Sequence, residues 1–507
     1  MLARTLSATP WGVDARRVQV EADVHNGLPQ THIVGLPDAS VRESRERVRS
    51  AIVNSGFEAP PKVVIINLAP ADLRKEGNHL DLAIALAQLA ARDQLPQSAL
   101  DGRLFCGELG LDGSVRPVRG GLALADLAAR EGLRELILPA ANAGEAAALG
   151  ALPVIPVRSL AEAVDHLEGA TIAPVAGAPP TVSDDVGDEP DLSEVRGQTA
   201  AKRALEVAAA GGHNLLFIGP PGSGKTMLAR RLPAILPRLN LAESIEVTKI
   251  HSLVAEEPPS KLLSLRPFRS PHPGVSAAGM IGGGSIPRPG EASLAHGGVL
   301  FLDELPEFKR DALESLRQPM EEGHVTIVRT RARLDFPARF ALLASMNPCP
   351  CGHLGDPRHQ CRCPPPLVLR YRGRVSGPLL DRIDLHVEVP ALSLQELNAP
   401  PGEPSVAVAE RVLHARQQQR KRFGEGCATP INAAMDTEAL HRHCRLDNAA
   451  RHLLDTAFER LKLSARAVTR ILKVARTIAD LAGGDMIEAG HLAEAIQYRS
   501  LDRRVEP

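Results

Sequence analysis

Gly219-Pro220-Pro221-Gly222-Ser223-Gly224-Lys225-Thr226 satisfies the phosphate-loop pattern G-x-x-x-x-G-K-[ST] at every specified position. Backbone N–H groups of such a turn surround a β-phosphate, Lys225 reaches the β/γ oxygens and the Thr226 hydroxyl ligates Mg²⁺. ATP and Mg²⁺ are the expected ligands; the plain alternative is a glycine turn that binds nothing. In Gly298-Val299-Leu300-Phe301-Leu302-Asp303-Glu304, an apolar run meets two acids, as in a buried strand that delivers carboxylates to a ligand crevice. Asp303 would complete the Mg²⁺ shell, and Glu304 would polarise an attacking water as general base. A third group of reactive side chains is Cys349-x-Cys351 and Cys361-x-Cys363, with His353 and His359 between. Four soft ligands in one loop can close a tetrahedral, structural Zn²⁺ site, though C-x-C is tighter than the common C-x₂-C; idle thiols are the alternative.

These residues need elements to hold them. Asn214 to Ile218 reads as a short buried strand and Met227 to Leu232 as the start of a helix, the context a phosphate loop requires. Residues 1–172 alternate β-like runs (Gln19 to Val24, Val63 to Leu68, Glu135 to Leu138) with helical ones (Leu80 to Ala91, Leu122 to Ala129), which is an α/β domain by pattern. Residues 173–190 are rich in Pro, Gly and acid and read as a linker. A central α/β domain over 191–392 and a helical region over 393–507 follow. The glycine-dense stretch from Arg266 to Gly284 reads as a mobile loop. Val325 to Phe336 alternates like a β-hairpin with Arg329, Arg331 and Arg333 on one face, a stripe suited to DNA phosphates. Arginine outnumbers lysine in this chain, so composition alone is the competing explanation of that stripe.

Composition sets the outer limits. A formal net charge of −1 provides no global basic field, so nucleic-acid contact must be local, and 3% aromatics argue against base stacking as its mode. No apolar run reaches membrane-spanning length and no charged-then-apolar leader opens the sequence, so a cytoplasmic protein without membrane contact is expected. Seven cysteines, four of them clustered, suit a reducing compartment and a metal better than disulfides.

Resemblances add roles to these residues. Asn67 to Leu82, with Val118-Arg119-Gly120-Gly121-Leu122-Ala123, resembles the proteolytic domain of Lon, a Ser/Lys peptidase. His79 stands where that family has its serine and Ala123 where it has its lysine, so no acyl-enzyme chemistry is expected. His79 is expected as a surface or satisfied core histidine, the alternative being a new catalytic group. The central domain resembles AAA+ ATPases. That likeness implies sensor 1 at Asn347, nucleotide contact near Val195 and Gln198, and, in the magnesium-chelatase and MCM branch, an arginine finger at Arg382 acting on a neighbouring subunit. The competing role for Arg382 is an ion pair with Asp381 or Asp384. Ser464 to Leu481 resembles the sensor 2 helix of that branch, with Arg466 leaning on nucleotide and Arg470 as the alternative. With Asn347 to Gly352, Cys361 to Cys363 and Ser376 to Leu385, nearly the whole chain resembles the ComM/YifB family of magnesium-chelatase-like AAA+ ATPases. It departs at Pro271-His272-Pro273, where the family carries a second histidine. The resemblance implies a Lon-like α/β domain, a phosphate-loop AAA+ domain and a helical lid. It also implies a hexameric, ATP-driven DNA helicase that promotes branch migration in natural transformation. A protein-remodelling or chelatase-type ATPase is the second class.

Overall fold

The computed structural model describes residues 2–499 except 60–61, 76, 176–189, 256–260, 285–287, 330–331, 357, 425–426 and 428, and omits the side chains at 329 and 332. The expected linker falls almost wholly outside the described residues. The chain divides into two compact units, one comprising residues 1–183, 240–264 and 328–336, the other the remainder.

The first unit is built on β1 (Leu2–Trp11), β2 (Asp14–His25), β3 (Gln30–Val34), α1 (Ala39–Asn54), β4 (Val63–Ala69), α2 (Asp81–Ala90), β5 (Arg103–Phe105), the small pair β6 (Glu108–Leu109) and β7 (Val115–Arg116), α3 (Gly121–Arg130), β8 (Glu135–Pro139), α4 (Ala140–Ala147), β9 (Val154–Val157) and α5 (Leu160–Leu167). Seven strands form one mixed sheet in the order β3-β4-β2-β1-β5-β8-β9. The β1–β2 hairpin and β2–β4 are antiparallel; the remaining neighbours are parallel. Every residue of α2 is buried, as its nearly all-apolar sequence demands. Its one acid, Asp81, is met by Arg47 at 3.0 Å. Burial pushes the Asp81 carboxyl up to about 6 against that guanidinium.

His79, at the approach to α2, corrects an expectation. It is neither at the surface nor satisfied: it is buried, and Nε2 has no partner among the described residues. Burial lowers its pKa to about 4 over the opposing charge of Asp38, so the imidazole is neutral at pH 7.

In the second unit α6 (Thr199–Gly211) leads into β10 (Leu215–Ile218), and the phosphate loop turns from β10 into α7 (Lys225–Ala229) and α8 (Leu232–Ile235). α9 (Leu241–Ser252) follows in sequence but folds with the first unit. A capping box between Asn240 and Glu243 starts it, and Lys249, 9% exposed, places Nζ 2.9 Å from Asp14 and 2.5 Å from Asp126. The chain continues through β11 (Phe268–Arg269), α10 (Ala277–Ile281), β12 (Gly282–Gly283), β13 (Arg288–Pro289), α11 (Glu291–Leu294), β14 (Val299–Leu302), α12 (Arg310–Ser315) and α13 (Arg317–Glu322). Gly282 and Gly283, expected in a loop, pair with Pro289 and Arg288.

Next come the paired β15 (His324–Arg329) and β16 (Ala332–Pro337), then β17 (Ala341–Met346), α14 (Pro365–Arg372), α15 (Gly377–Leu380) and β18 (Leu385–Glu388). The helical region comprises α16 (Leu394–Leu397), α17 (Ser405–Phe423), α18 (Thr437–His443), α19 (Asn448–Leu461), α20 (Ala465–Leu481) and α21 (Ala489–Gln497). The core sheet is parallel in the order β11-β14-β17-β10-β18. β10 and β14 are buried along their full length, because helices cover both faces of such a sheet. Among the described residues no helix is long and apolar enough to cross a membrane.

The Lys249 contact makes a testable stability claim. Lys249→Met should lower the stability of the first unit by about 1–3 kcal/mol, between an exposed and a fully buried ion pair. Hydrogen exchange in α9 and α3 should speed up accordingly, while β10 and β14 keep their protection.

Candidate active site

The parallel register brings three strand ends together. Ile218 of β10 lies beside Met346 of β17, and Leu302 of β14 beside Ala344. The residues just beyond, Gly219, Asn347 and Asp303, therefore meet at the carboxyl edge of the sheet, where parallel α/β sheets bind ligands. Gly219 is required by packing: a Cβ there would stand 2.1 Å from the Val389 carbonyl oxygen. Gly222 and Gly224 hold φ of +75° and +91°, conformations that favour glycine.

Thr226 Oγ1 donates to Asp303 Oδ2 at 2.7 Å. The other Asp303 oxygen accepts from the Ser345 hydroxyl, so the carboxylate is clamped between the phosphate loop and the strand between them. Lys225 lies folded into its own loop, donating to the carbonyls of Gly219 at 2.7 Å and Pro220 at 2.9 Å and to Asn347 Oδ1 at 3.2 Å. Burial lowers its pKa against the charges of Asp303 and Glu304. Ser223 Oγ is buried in the same cradle without a protein partner among the described residues. A cation facing loop carbonyls and an orphaned hydroxyl fit a site for phosphate oxygens, and the Thr226–Asp303 pair fits Mg²⁺.

Glu304 sits at φ +55°, left-handed backbone that costs a non-glycine residue ~1–3 kcal/mol and concentrates at functional sites. Its N–H donates to Ser345 Oγ at 3.3 Å, and its exposed side chain stands where water can reach it. Gln198 and Val195 take supporting positions. The Gln198 amide donates to the Ser223 carbonyl at 3.2 Å and the Pro390 carbonyl at 2.8 Å, bracing the loop from behind, and Val195 is buried core.

Arg382 pairs with neither Asp381 nor Asp384. Its guanidinium binds Glu321 and the Pro378 carbonyl, because Asp384 is already taken. Asp384 accepts from Arg470, from His213 Nδ1 at 3.3 Å and from the Asn214 N–H at 3.2 Å. Burial pushes the Asp384 carboxyl up, but the His213 hydrogen bond and the Arg470 charge outweigh it and hold the group well below the ordinary carboxylate range. Arg470 also donates to the Arg382 carbonyl at 3.2 Å, so α20 and the Arg382 backbone share one hub. Arg466, in the first turn of α20, is exposed and has no ion pair among the described residues.

The cysteine loop begins two residues after Asn347. Sγ separations of 3.4, 3.7 and 3.7 Å link Cys349, Cys351 and Cys361, and with Cys363 all four sulfurs lie within 4.8 Å of one another. Zn–S bonds of ~2.3 Å in a tetrahedron put sulfurs about 3.8 Å apart, so the thiols fit Zn²⁺. Gly352 (φ +82°) rests against the phosphate loop, where a Cβ would stand 2.5 Å from Pro221 Cδ.

Of the expected arginine stripe, Arg329 ends β15 and Arg333 lies in β16, the strand paired with it. Arg333 is exposed and lies 3.7 Å from Asp335; Arg331 and the Arg329 side chain lie outside the described residues.

Residues 191–397 match the family described as "Magnesium chelatase, subunit ChlI", residues 20–142 "Subunit ChlI of Mg-chelatase" and residues 402–499 "Magnesium chelatase, subunit ChlI C-terminal". The chain is 45% identical to the competence protein ComM of Haemophilus influenzae, over 100% of this chain and 99% of that one. It is 46% identical to YifB of Escherichia coli, over 97% and 96%. The chain belongs to the ComM/YifB family of magnesium-chelatase-like AAA+ ATPases. A more distant likeness, 30% identity over 39% of this chain and 55% of the other, is to the magnesium-chelatase 38 kDa subunit of Rhodobacter capsulatus. Within this family the chain has the expected layout: an α/β front unit, a parallel α/β core and a helical carboxyl-terminal region. Sequence reasoning named neither Ser345, Glu321 nor the Asp384 hub as site residues. Ser345 was within reach, being a hydroxyl at the tip of the strand adjoining Asp303; the others depend on packing across long sequence distances.

Two variants probe this geometry. Gly219→Ala should abolish nucleotide binding, read by equilibrium titration with a fluorescent ATP analogue, since the new methyl meets backbone rather than a movable side chain. Asp384→Asn should cost about 3 kcal/mol in unfolding free energy by stranding partly buried Arg470. Because the Asp384 pKa is depressed on folding, its contribution is present above about pH 4 and lost as pH falls below that. The gap between wild type and Asp384→Asn should therefore narrow in acid.

Proposed function

We propose that this chain is an ATP-hydrolysing motor that assembles as a hexameric ring on DNA and promotes branch migration while incoming DNA is recombined in natural transformation. The observation that carries the reading is the Thr226–Asp303 bond with Glu304 exposed beside it. Lys225 and the phosphate loop would hold the β- and γ-phosphates of the substrate, and Arg466 would lean on the nucleotide from the lid. Thr226 and Asp303 would hold Mg²⁺, which neutralises charge between the phosphates. Asn347 would orient the attacking water, and Glu304 would take its proton as the bond to the γ-phosphorus forms and ADP leaves. Arg382 would leave Glu321 to meet the γ-phosphate of the neighbouring subunit.

Support for DNA as the track is twofold: the full-length likeness to a protein named for competence, and the paired strands β15 and β16, which carry Arg329 and Arg333. Protein remodelling is the second reading, favoured by the likeness to a magnesium-chelatase subunit. Peptidase action is opposed by His79 and Ala123, both buried and lacking a nucleophilic hydroxyl and a base. Cys349, Cys351, Cys361 and Cys363 would hold a structural Zn²⁺, and the cytoplasm is the compartment that keeps such thiols reduced.

Glu304→Gln should retain ATP binding and lose about 10²–10⁴-fold in turnover; unchanged turnover would reject the general-base role. Arg382→Ala and Lys225→Ala subunits should each be inactive alone and recover turnover when mixed, since some interfaces then pair an intact loop with an intact finger. No recovery at any ratio would remove action across subunits. Elemental analysis of chelator-free protein should find zinc that is lost on replacing Cys361 and Cys363 with serine.

A further inference from the structure

Between the two cysteine pairs the loop carries donor atoms that the four sulfurs do not use. His353 and His359 both aim Nδ1 at one carboxylate oxygen, Asp356 Oδ2, at 3.4 and 2.9 Å. Their rings lie side by side, 4.8 Å between centroids. The backbone builds this arrangement. Asp356 N–H donates to the His353 carbonyl at 3.1 Å, closing a turn, and Arg358 N–H donates to Asp356 Oδ1 at 2.9 Å, which fixes the carboxylate with its other oxygen facing the imidazoles.

The charge balance points the same way. The Asp356 side chain is only 4% exposed, while His353 and His359 are 34% and 63% exposed. Among the described residues no lysine or arginine side chain pairs with Asp356; the Arg358 guanidinium turns away to the Leu392 carbonyl. A covered carboxylate without a lysine or arginine partner is an anionic oxygen donor of the kind that a divalent cation complements. Distances agree as well. Bonds of ~2.0–2.2 Å to nitrogen and oxygen at tetrahedral or octahedral angles put donor atoms about 2.9–3.5 Å apart, the spacing of each imidazole nitrogen from Asp356 Oδ2.

We propose that His353, Asp356 and His359 form a second divalent-metal site, distinct from the tetrathiolate. Two imidazoles and one carboxylate select borderline ions such as Zn²⁺, Co²⁺ and Ni²⁺ and leave coordination positions open to water. Among the described residues neither imidazole has a second hydrogen-bond partner that would stiffen it, so this site binds more weakly than the four cysteines and exchanges its ion.

The test is Co²⁺ titration of the untagged, metal-stripped full chain, followed by absorbance and by metal content after desalting. Wild type should take up two equivalents. One carries the intense thiolate-to-metal absorption; the other adds only weak visible bands of nitrogen and oxygen ligation. The His353→Ala/His359→Ala double variant should keep the thiolate-type equivalent and lose the other. Asp356→Asn, which keeps the side chain's shape, should weaken the second equivalent at least tenfold. Saturation of wild type at one thiolate-type equivalent, or two equivalents retained by the double variant, would overturn the proposal. The proposal stands apart from the cysteine reading: if the cysteines bind nothing, the thiolate absorption is missing while one histidine-dependent equivalent remains.

Discussion

The hydrogen bond from Thr226 to Asp303 fixes the relation between the turn that would hold phosphate and the strand that supplies carboxylates, and the rest of the second unit maintains it. β17 lies between β10 and β14, so the two motifs never touch through backbone pairing. Their separation is set by one intervening strand, and the registers place Asp303 level with Ser345 and Gly219 level with Asn347, two residues further along that strand. Ser345 and Asn347, at the tip of that middle strand, then reach to opposite sides: the hydroxyl to Asp303, the amide to Lys225. Four-residue strands buried on both faces tolerate no slip, since a shift of one residue would bring polar termini into the apolar layer.

A second layer of organisation ties the helical region to this edge. Asp384 gathers His213 from the end of α6, Asn214 from the start of β10 and Arg470 from α20, and the Arg382 carbonyl is held by Asn214 and Arg470. Deeper in the same helix Arg476, 1% exposed, is matched by Asp480 at 3.0 Å, and Asp480 also accepts from Arg422 and Asn432. Such networks are costly unless every member is paired, and here their members join α6, α17 and α20. A displacement of α20 would therefore be felt at Arg382 through its backbone. In the first unit, α9 follows the phosphate-loop helices in sequence yet is fastened by Lys249 to Asp14 and Asp126, so part of the chain between the two motifs belongs to the first unit.

The motifs could be read from sequence because their chemistry is local. A phosphate loop needs glycines, a lysine and a threonine at fixed offsets, and an apolar run ending in Asp-Glu needs only its own strand. The α/β alternation of the first unit and helix α20 are visible for the same reason, through periodicity. What escaped depended on distant partners. Glu321 holds Arg382 across 61 residues, and Asp384 meets His213 across 171. The burial of His79, with Nε2 unpartnered among the described residues, follows from the packing before α2, which no spacing in the sequence encodes.

The central claim, a motor whose ATP turnover is coupled to DNA, is tested most directly by steady-state ATP hydrolysis of the purified chain. It should be assayed alone, with single-stranded DNA, with duplex and with a synthetic four-way junction, each at two salt concentrations. The account predicts strong stimulation by DNA that weakens as salt rises, because phosphate contacts release counterions. Intact basal hydrolysis that no DNA changes would contradict it and direct attention to a protein substrate.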